Sequence, residues 1–132
     1  MPFEIFIVED HPVMREAYAS VLEVEPALRL CGTAASAEEA IEVLAWLECD
    51  LVVTDLVLPG QSGIDLVRHL RSARPDLPTV VITGHEEEAF AREARKAGAK
   101  AYLRKRDLIQ TLVPTIYEVL GEQSARSVSA AA

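Results

Sequence analysis

Several things are scarce in this chain of 132 residues, and each scarcity excludes a class of protein. Cysteine occurs twice, at Cys31 and Cys49, too few for a disulfide-stapled scaffold. A chain of this length can bury a sizeable core without staples, so reduced thiols in a cytoplasmic protein are the expectation. No apolar run approaches the ~18 residues of a membrane span. The opening Met1-Pro2-Phe3-Glu4 has neither a basic stretch nor a long apolar one, so no secretory signal is expected. Basic residues are outnumbered and the formal charge is −8, which argues against a direct grip on nucleic acid. No Cys/His metal spacing, no G-x-x-x-x-G-K-S/T loop and no G-x-G-x-x-G is present, so nucleotide binding has no support.

What is there is half hydrophobic and arranged in alternating short apolar runs and helical periods. Phe3 to Val8 reads as a buried strand that ends in Glu9-Asp10-His11-Pro12. Residues 13–24 follow at helical spacing, with Val13, Met14, Ala17, Val21 and Leu22 inward. Pro12 suits the first turn, where a missing N–H costs nothing. Leu28 to Gly32 is a second strand. Ser36-Ala37-Glu38-Glu39 is a capping box opening a helix with Ala37, Ala40, Ile41, Leu44 and Leu47 inward, and Trp46 is expected to pack on it. Leu51-Val52-Val53-Thr54 is a third strand running into Asp55, then Leu56-Val57-Leu58-Pro59-Gly60. Ser62-Gly63 opens a third helix carrying Ile64, Leu66, Val67 and Leu70 inward. Thr79 to Thr83 is a β-branched strand. Residues 86–97 form a helix whose inward face is mostly alanine (Ala89, Ala94, Ala97) with Phe90. Ala99 to Leu103 is a fifth strand.

Asp107 can cap a last helix with Leu108, Ile109, Leu112, Ile116, Val119 and Leu120 on its apolar side; Pro114 inside it removes a backbone hydrogen bond. From Gly121 onward no periodicity remains. The division is one domain over 1–121 and a linker or disordered tail over 122–132.

Five βα units predict an α/β fold, a doubly wound five-stranded parallel sheet with helices on both faces. The common strand order for such a fold is 2-1-3-4-5, flavodoxin-like, and its switch point lies between strands one and three. Those strands end in Glu9-Asp10 and Asp55. Three carboxylates at one crevice repel one another unless a cation sits among them, and hard oxygen ligands suit Mg2+. Strand four ends in Thr83 and strand five leads to Lys105, so a hydroxyl and an ammonium face the acids. That set fits phosphoryl transfer to a carboxylate nucleophile. Taken singly, each piece has an ordinary reading: Glu9 and Asp10 as helix N-cap acids, Thr83 as a strand residue, Lys105 as a solvated charge, Tyr102 as a strand aromatic. Their joint ordering is what those readings leave unexplained.

The constellation resembles the receiver domain of bacterial two-component response regulators, over residues 3 to about 121. The resemblance rests on Glu9-Asp10, Asp55 with Pro59 and Gly63 after it, Thr83-Gly84, and Tyr102 three residues before Lys105. It implies that Asp55 is the phosphoacceptor, phosphorylated by a histidine kinase or a phosphotransfer protein. It implies Mg2+ on Glu9, Asp10, Asp55 and the backbone carbonyl of Val57, with Thr83 and Lys105 holding the phosphoryl oxygens. Thr83 and Tyr102 would carry the signal to the face of helix four, strand five and helix five, where a homodimer could form. Asp10-His11-Pro12 and Gly98-Ala99-Lys100-Ala101-Tyr102-Leu103 look most like the subgroup fused to a C-terminal helix-turn-helix domain. DNA contact would then belong to that output domain, with no membrane involved.

Three departures accompany the resemblance. Glu9 stands where Asp is frequent. Arg106 follows Lys105 where proline is common, which bears on a cis peptide there. Val57 is apolar beside the acceptor and cannot orient an attacking water, a task left to His85. Three alternatives remain open: a stand-alone receiver acting by contact or phosphorelay, a Mg2+-dependent phosphatase with an aspartyl nucleophile, and a phosphate-independent interaction module. The phosphatase chemistry usually adds an acid two residues after the nucleophile, where this chain has Val57.

Overall fold

The computed structural model describes residues 2–84 and 88–131, with side chains described through Glu122. The chain alternates β1 (Phe3–Val8), α1 (Pro12–Glu23), β2 (Leu28–Ala34), α2 (Ala37–Leu44), β3 (Leu51–Asp55), α3 (Gly63–Ala73), β4 (Thr79–Thr83), α4 (Glu88–Ala97), β5 (Ala101–Arg104) and α5 (Leu108–Ala131). The strands form one parallel sheet in the order β2-β1-β3-β4-β5. The α/β fold and strand order are those expected from the sequence.

Continuous apolar strands make the centre of this sheet, because both of its faces are covered. Ile5, Ile7, Leu51, Val53, Val80 and Ile82 point to one face, where Tyr18 and Leu22 of α1 meet Leu108, Leu112 and Ile116 of α5. Phe6, Val8 and Val52 point to the other face, against Ala37, Ala40 and Leu44 of α2 and Leu66 and Leu70 of α3. A third cluster joins α3 to α4 through Ile64, Val67, Ala94 and Ala97, with Tyr102 of β5 half-buried against it.

β2 runs two residues further than expected because it contains a bulge. Ile5 faces Leu30 and Phe6 faces Gly32, so Cys31 has no partner across the ladder. The extra residue reverses the alternation of the strand. Leu28 and Leu30 lie on the α1/α5 face, whereas Ala34 reaches the α2/α3 face. A Cβ at Gly32 would come within 3.1 Å of the Phe6 ring, so glycine is what lets the bulged strand close on β1.

Several helix faces differ from the periodic reading. Val13 and Ile109 are exposed, while Tyr18 is buried in their stead on the α1/α5 face. Each of the exposed pair lies in the first turn of its helix, at the sheet's C-terminal edge, with no layer above it. Trp46 is exposed as well, because α2 ends at Leu44 and the following turn carries the indole off the core. On α4 the buried residues are Ala91, Ala94 and Ala97, with Ala89 exposed and Phe90 over a third exposed. α5 continues to Ala131, past the boundary set at Gly121; after that glycine the chain holds only residues a helix tolerates. Among the described residues no helix is long and apolar enough to cross a membrane.

Candidate functional site at the sheet edge

The site forms where β1 and β3, neighbours in the sheet, deliver their last residues to one crevice. Asp55 is the terminal residue of β3, its backbone held against Ile82 of β4, and the residue is 5% exposed. Glu9 follows β1, is fully buried, and has its N–H tied to Ala34 O at 2.9 Å. Asp10 is more open and lies near the His11 ring. One carboxylate oxygen from each of the three acids falls within 4.8 Å of the others. The expected convergence of Glu9, Asp10 and Asp55 is therefore present.

What balances these charges is Lys105. Its Nζ donates to Asp55 Oδ2 at 2.8 Å and stands 3.2 Å from Glu9 Oε1. The second approach is a charge contact off hydrogen-bonding geometry, and Oε1 is left buried without a hydrogen-bond partner. Burial pulls the lysine pKa down, but Asp55 and Glu9 outweigh it and the value stands raised. Glu9 is raised too, first by burial and then by repulsion from Asp55, with the His11 N–H and Lys105 opposing. An orphaned acceptor among three carboxylates is what a hard cation would satisfy, so the donor set fits Mg2+.

The loop after β3 is fixed by small, specific contacts. Val57 N–H donates to Asp55 Oδ1 at 3.3 Å, which orients the carboxylate. Gly63 N–H closes on Leu56 O at 2.8 Å, and a Cβ there would lie 2.0 Å from Asp55 O. Only glycine permits that approach. Ser62 and Asp65 form a complete capping box, so α3 starts at a fixed point beneath the loop. Gly60 turns with φ +75, and Glu38 of α2 accepts from Gln61 N–H at 2.9 Å.

Thr83 is fully buried at the end of β4 and lines the cleft together with Asp10, Asp55, Val57, Gly84 and Lys105. Tyr102 sits opposite Val81, one layer inside the edge and away from the acids. Val57 is exposed at the rim. Among the described residues no peptide bond is cis, so Lys105 reaches the acids through a trans linkage to Arg106. His85 lies outside the described residues.

Two participants escaped the sequence reading. Arg15, which lies outside the inward set of α1, folds back to donate to Glu9 O at 2.8 Å. Tyr18 brings a buried hydroxyl without a partner, its pKa raised by burial and by the charges of Glu9 and Asp55. Neither carries a sequence signal beyond its helical position, because a helix period tells which face a residue takes and not how far its tip extends.

A parallel sheet with three acids, a lysine and a buried threonine at its switch-point edge defines a class of protein. Residues 5–117 match the response regulator receiver domain, and the chain belongs to that family. It is 29% identical over 120 residues to the response regulator GacA of Pseudomonas aeruginosa, covering 91% of this chain and 56% of GacA. It is 34% identical over 102 residues to the DNA-binding transcriptional activator DevR/DosR of Mycobacterium tuberculosis, covering 77% of this chain and 47% of that protein. A solved two-component response regulator of the LuxR family from Aurantimonas sp. SI85-9A1 superposes with a TM-score of 0.88 at 35% identity, over 92% of this chain and 87% of that one. The chain spans about half the length of curated relatives such as these, and a third of the regulatory protein YesN of Bacillus subtilis. It is a receiver domain of the response-regulator type, a signalling module.

Proposed function

We propose that Asp55 accepts a phosphoryl group from a histidine kinase or phosphotransfer protein, and that this chain thereby switches an output, most directly transcription. The observation that carries the reading is the position of Asp55: a nearly buried carboxylate, oriented by Val57 N–H, with Lys105 Nζ at 2.8 Å and Thr83 in the cleft wall. One Asp55 oxygen attacks phosphorus while the bond from phosphorus to the donor breaks, and the donor leaves with its electron pair. Lys105 then compensates the added negative charge, and the Thr83 hydroxyl donates to a phosphoryl oxygen. Glu9, Asp10, Asp55 and the Val57 carbonyl would hold Mg2+, which when bound offsets charge on the transferring oxygens.

Signal leaves through α4. Its buried face is three alanines, worth about 2–3 kcal/mol of methyl burial, so the helix is cheap to move. Drawing Thr83 toward a phosphoryl oxygen shifts the start of α4, and Tyr102 is positioned to follow into the space beneath it. The face of α4, β5 and α5 then changes for a partner or a second copy. Transcriptional control is supported by what the relatives are called, and it would need an output domain attached to residues 122–132 as linker. Incubation with acetyl phosphate and Mg2+, read by intact mass, tests the reading. A single Mg2+-dependent phosphoryl adduct is expected, and no adduct, or one that forms equally well in EDTA, overturns it.

A further inference from the structure

The phosphoacceptor chemistry uses one end of the parallel strands, the end that carries Asp55. At the opposite end a cavity of about 460 Å3 opens between the last turns of α3 and α4 and the chain entering β4 and β5. Four cations line it, Arg71, Arg95, Lys96 and Lys100, and no acidic residue does. The whole chain holds 21 acidic residues against 13 basic ones, so a wall of one positive sign runs against its composition. Asp76 lines the neighbouring cleft, together with Glu48 and Arg74.

Helix ends explain part of this charge and not the rest. Arg71 closes α3, and Arg95 and Lys96 close α4, where cations suit the negative pole of a helix. The carbonyls at the end of α4 are already occupied, however. Gly98 N–H donates to Ala94 O at 3.2 Å and to Arg95 O at 3.0 Å, and Ala99 N–H to Ala94 O at 2.9 Å. Arg71 takes Lys96 O at 2.9 Å, a bond that engages Nη1 alone. Gly98 has φ +121, and a Cβ there would stand 3.1 Å from Arg71 Cδ, so this glycine both ends α4 and leaves room for the arginine stem. Lys100 lies outside both helices and answers no helix pole; its N–H holds Thr79 O at 2.8 Å, which fixes it beside β4.

We infer that this cavity binds a small ligand bearing two or more linked phosphates. Arginine meets phosphate oxygens with a planar fork and lysine with a point charge, and the wall supplies two of each. Its volume falls within the ~300–1,000 Å3 of small-molecule sites. One phosphate would satisfy only part of the four charges, which is why the linked form is favoured. A ligand spanning Arg71, Lys96 and Lys100 bridges α3, α4 and the lead into β5, and so braces the loosely held α4.

The test is a pyrophosphate titration of the isotope-labelled chain, read by amide chemical shifts at about 150 mM salt. EDTA replaces Mg2+, so that no metal bridges the probe to the phosphoacceptor cleft. Saturable shifts are expected at residues 71, 79 and 95–100, with orthophosphate binding at least ~10-fold more weakly. Lys96→Gln/Lys100→Gln should weaken pyrophosphate binding ~10-fold or more, whereas Arg29→Gln/Arg104→Gln, which removes the same charge elsewhere, should change it less than ~2-fold. Shifts that do not saturate, saturable shifts confined to the Asp55 end, equal affinity for orthophosphate, or equal losses in the two double variants overturn the inference. Tighter binding of a glutamate oligopeptide of equal charge overturns it too, by marking the surface as one for an acidic protein segment.

Discussion

Removing the ammonium of Lys105 exposes the electrostatics of this site most sharply. Lys105→Met keeps the apolar stem and deletes the charge that contacts Asp55 at 2.8 Å and Glu9 at 3.2 Å. Truncating one partner of a buried pair costs about 3–5 kcal/mol, because the other charge is left uncompensated. The Lys105 side chain is 25% exposed, so water screens part of that, and a loss of about 2 kcal/mol at pH 7 in EDTA is expected.

The pH dependence has a definite sign. Glu9 is raised in the folded state, so the folded chain holds its proton more tightly than the unfolded chain does. Its contribution to stability therefore falls as pH climbs above the ordinary glutamate value of 4.5, and is lowest once pH passes the raised folded value. Lys105, also raised, contributes stability that is complete below 10.5 and is lost as pH rises through its folded value. Deleting Lys105 removes one of the two groups that hold Glu9 down and leaves only the His11 N–H, so the deficit of the variant should be smaller near pH 5 than at pH 7. Mg2+ supplies positive charge to the same oxygens, so it should stabilise the variant more than wild type. Urea denaturation at both pH values, with and without Mg2+, measures all of this. A neutral substitution in EDTA, or a deficit that is the same at both pH values and untouched by Mg2+, would refute the reasoning.

Other substitutions probe neighbouring parts of the account. Asp10→Asn should weaken the Mg2+-induced rise in melting temperature while leaving the metal-free protein as stable or more so, since it relieves repulsion among acids within 4.8 Å; thermal shift against Mg2+ concentration reads it. Gly63→Ala places a methyl 2.0 Å from Asp55 O and should cost about 3 kcal/mol or more, whereas Gly121→Ala, with nothing within 4 Å of its Cβ, should gain up to about 1 kcal/mol of helix stability; chemical denaturation of both variants separates close approach from propensity. A phosphoryl mimic should change hydrogen exchange chiefly in α4, β5 and the start of α5, and Thr83→Ala should abolish the change; a response confined to α1 and α2 would rule out this route.

The sheet, its order and the place of the acids were legible because the signals were local and repeated. Each strand was a short apolar run, and four of the five led to residues of matching chemistry: Glu9-Asp10, Asp55, Thr83 and Lys105. The ammonium was legible as well: the fifth strand was read as leading to Lys105, and its Nζ meets Asp55 and Glu9 from the turn just after β5. Faces were legible in the middle of helices and failed at their ends. Val13 and Ile109 keep the correct period but stand above the sheet edge, where no layer covers them. The reach of Arg15 to Glu9 O and the move of Ala34 to the α2/α3 face depend on a fold-back and a bulge. A one-residue insertion in a ladder leaves no periodic mark in a strand of seven residues.

The central claim is that phosphate goes to Asp55, and the direct measurement is chemical trapping at that residue. After reaction with acetyl phosphate and Mg2+, borohydride reduces an aspartyl phosphate to homoserine, and peptide mapping locates the change. Conversion at position 55 in wild type, with no conversion anywhere in Asp55→Asn, is the predicted result. Homoserine at Asp10 or elsewhere in wild type, or undiminished labelling of Asp55→Asn, would contradict the account.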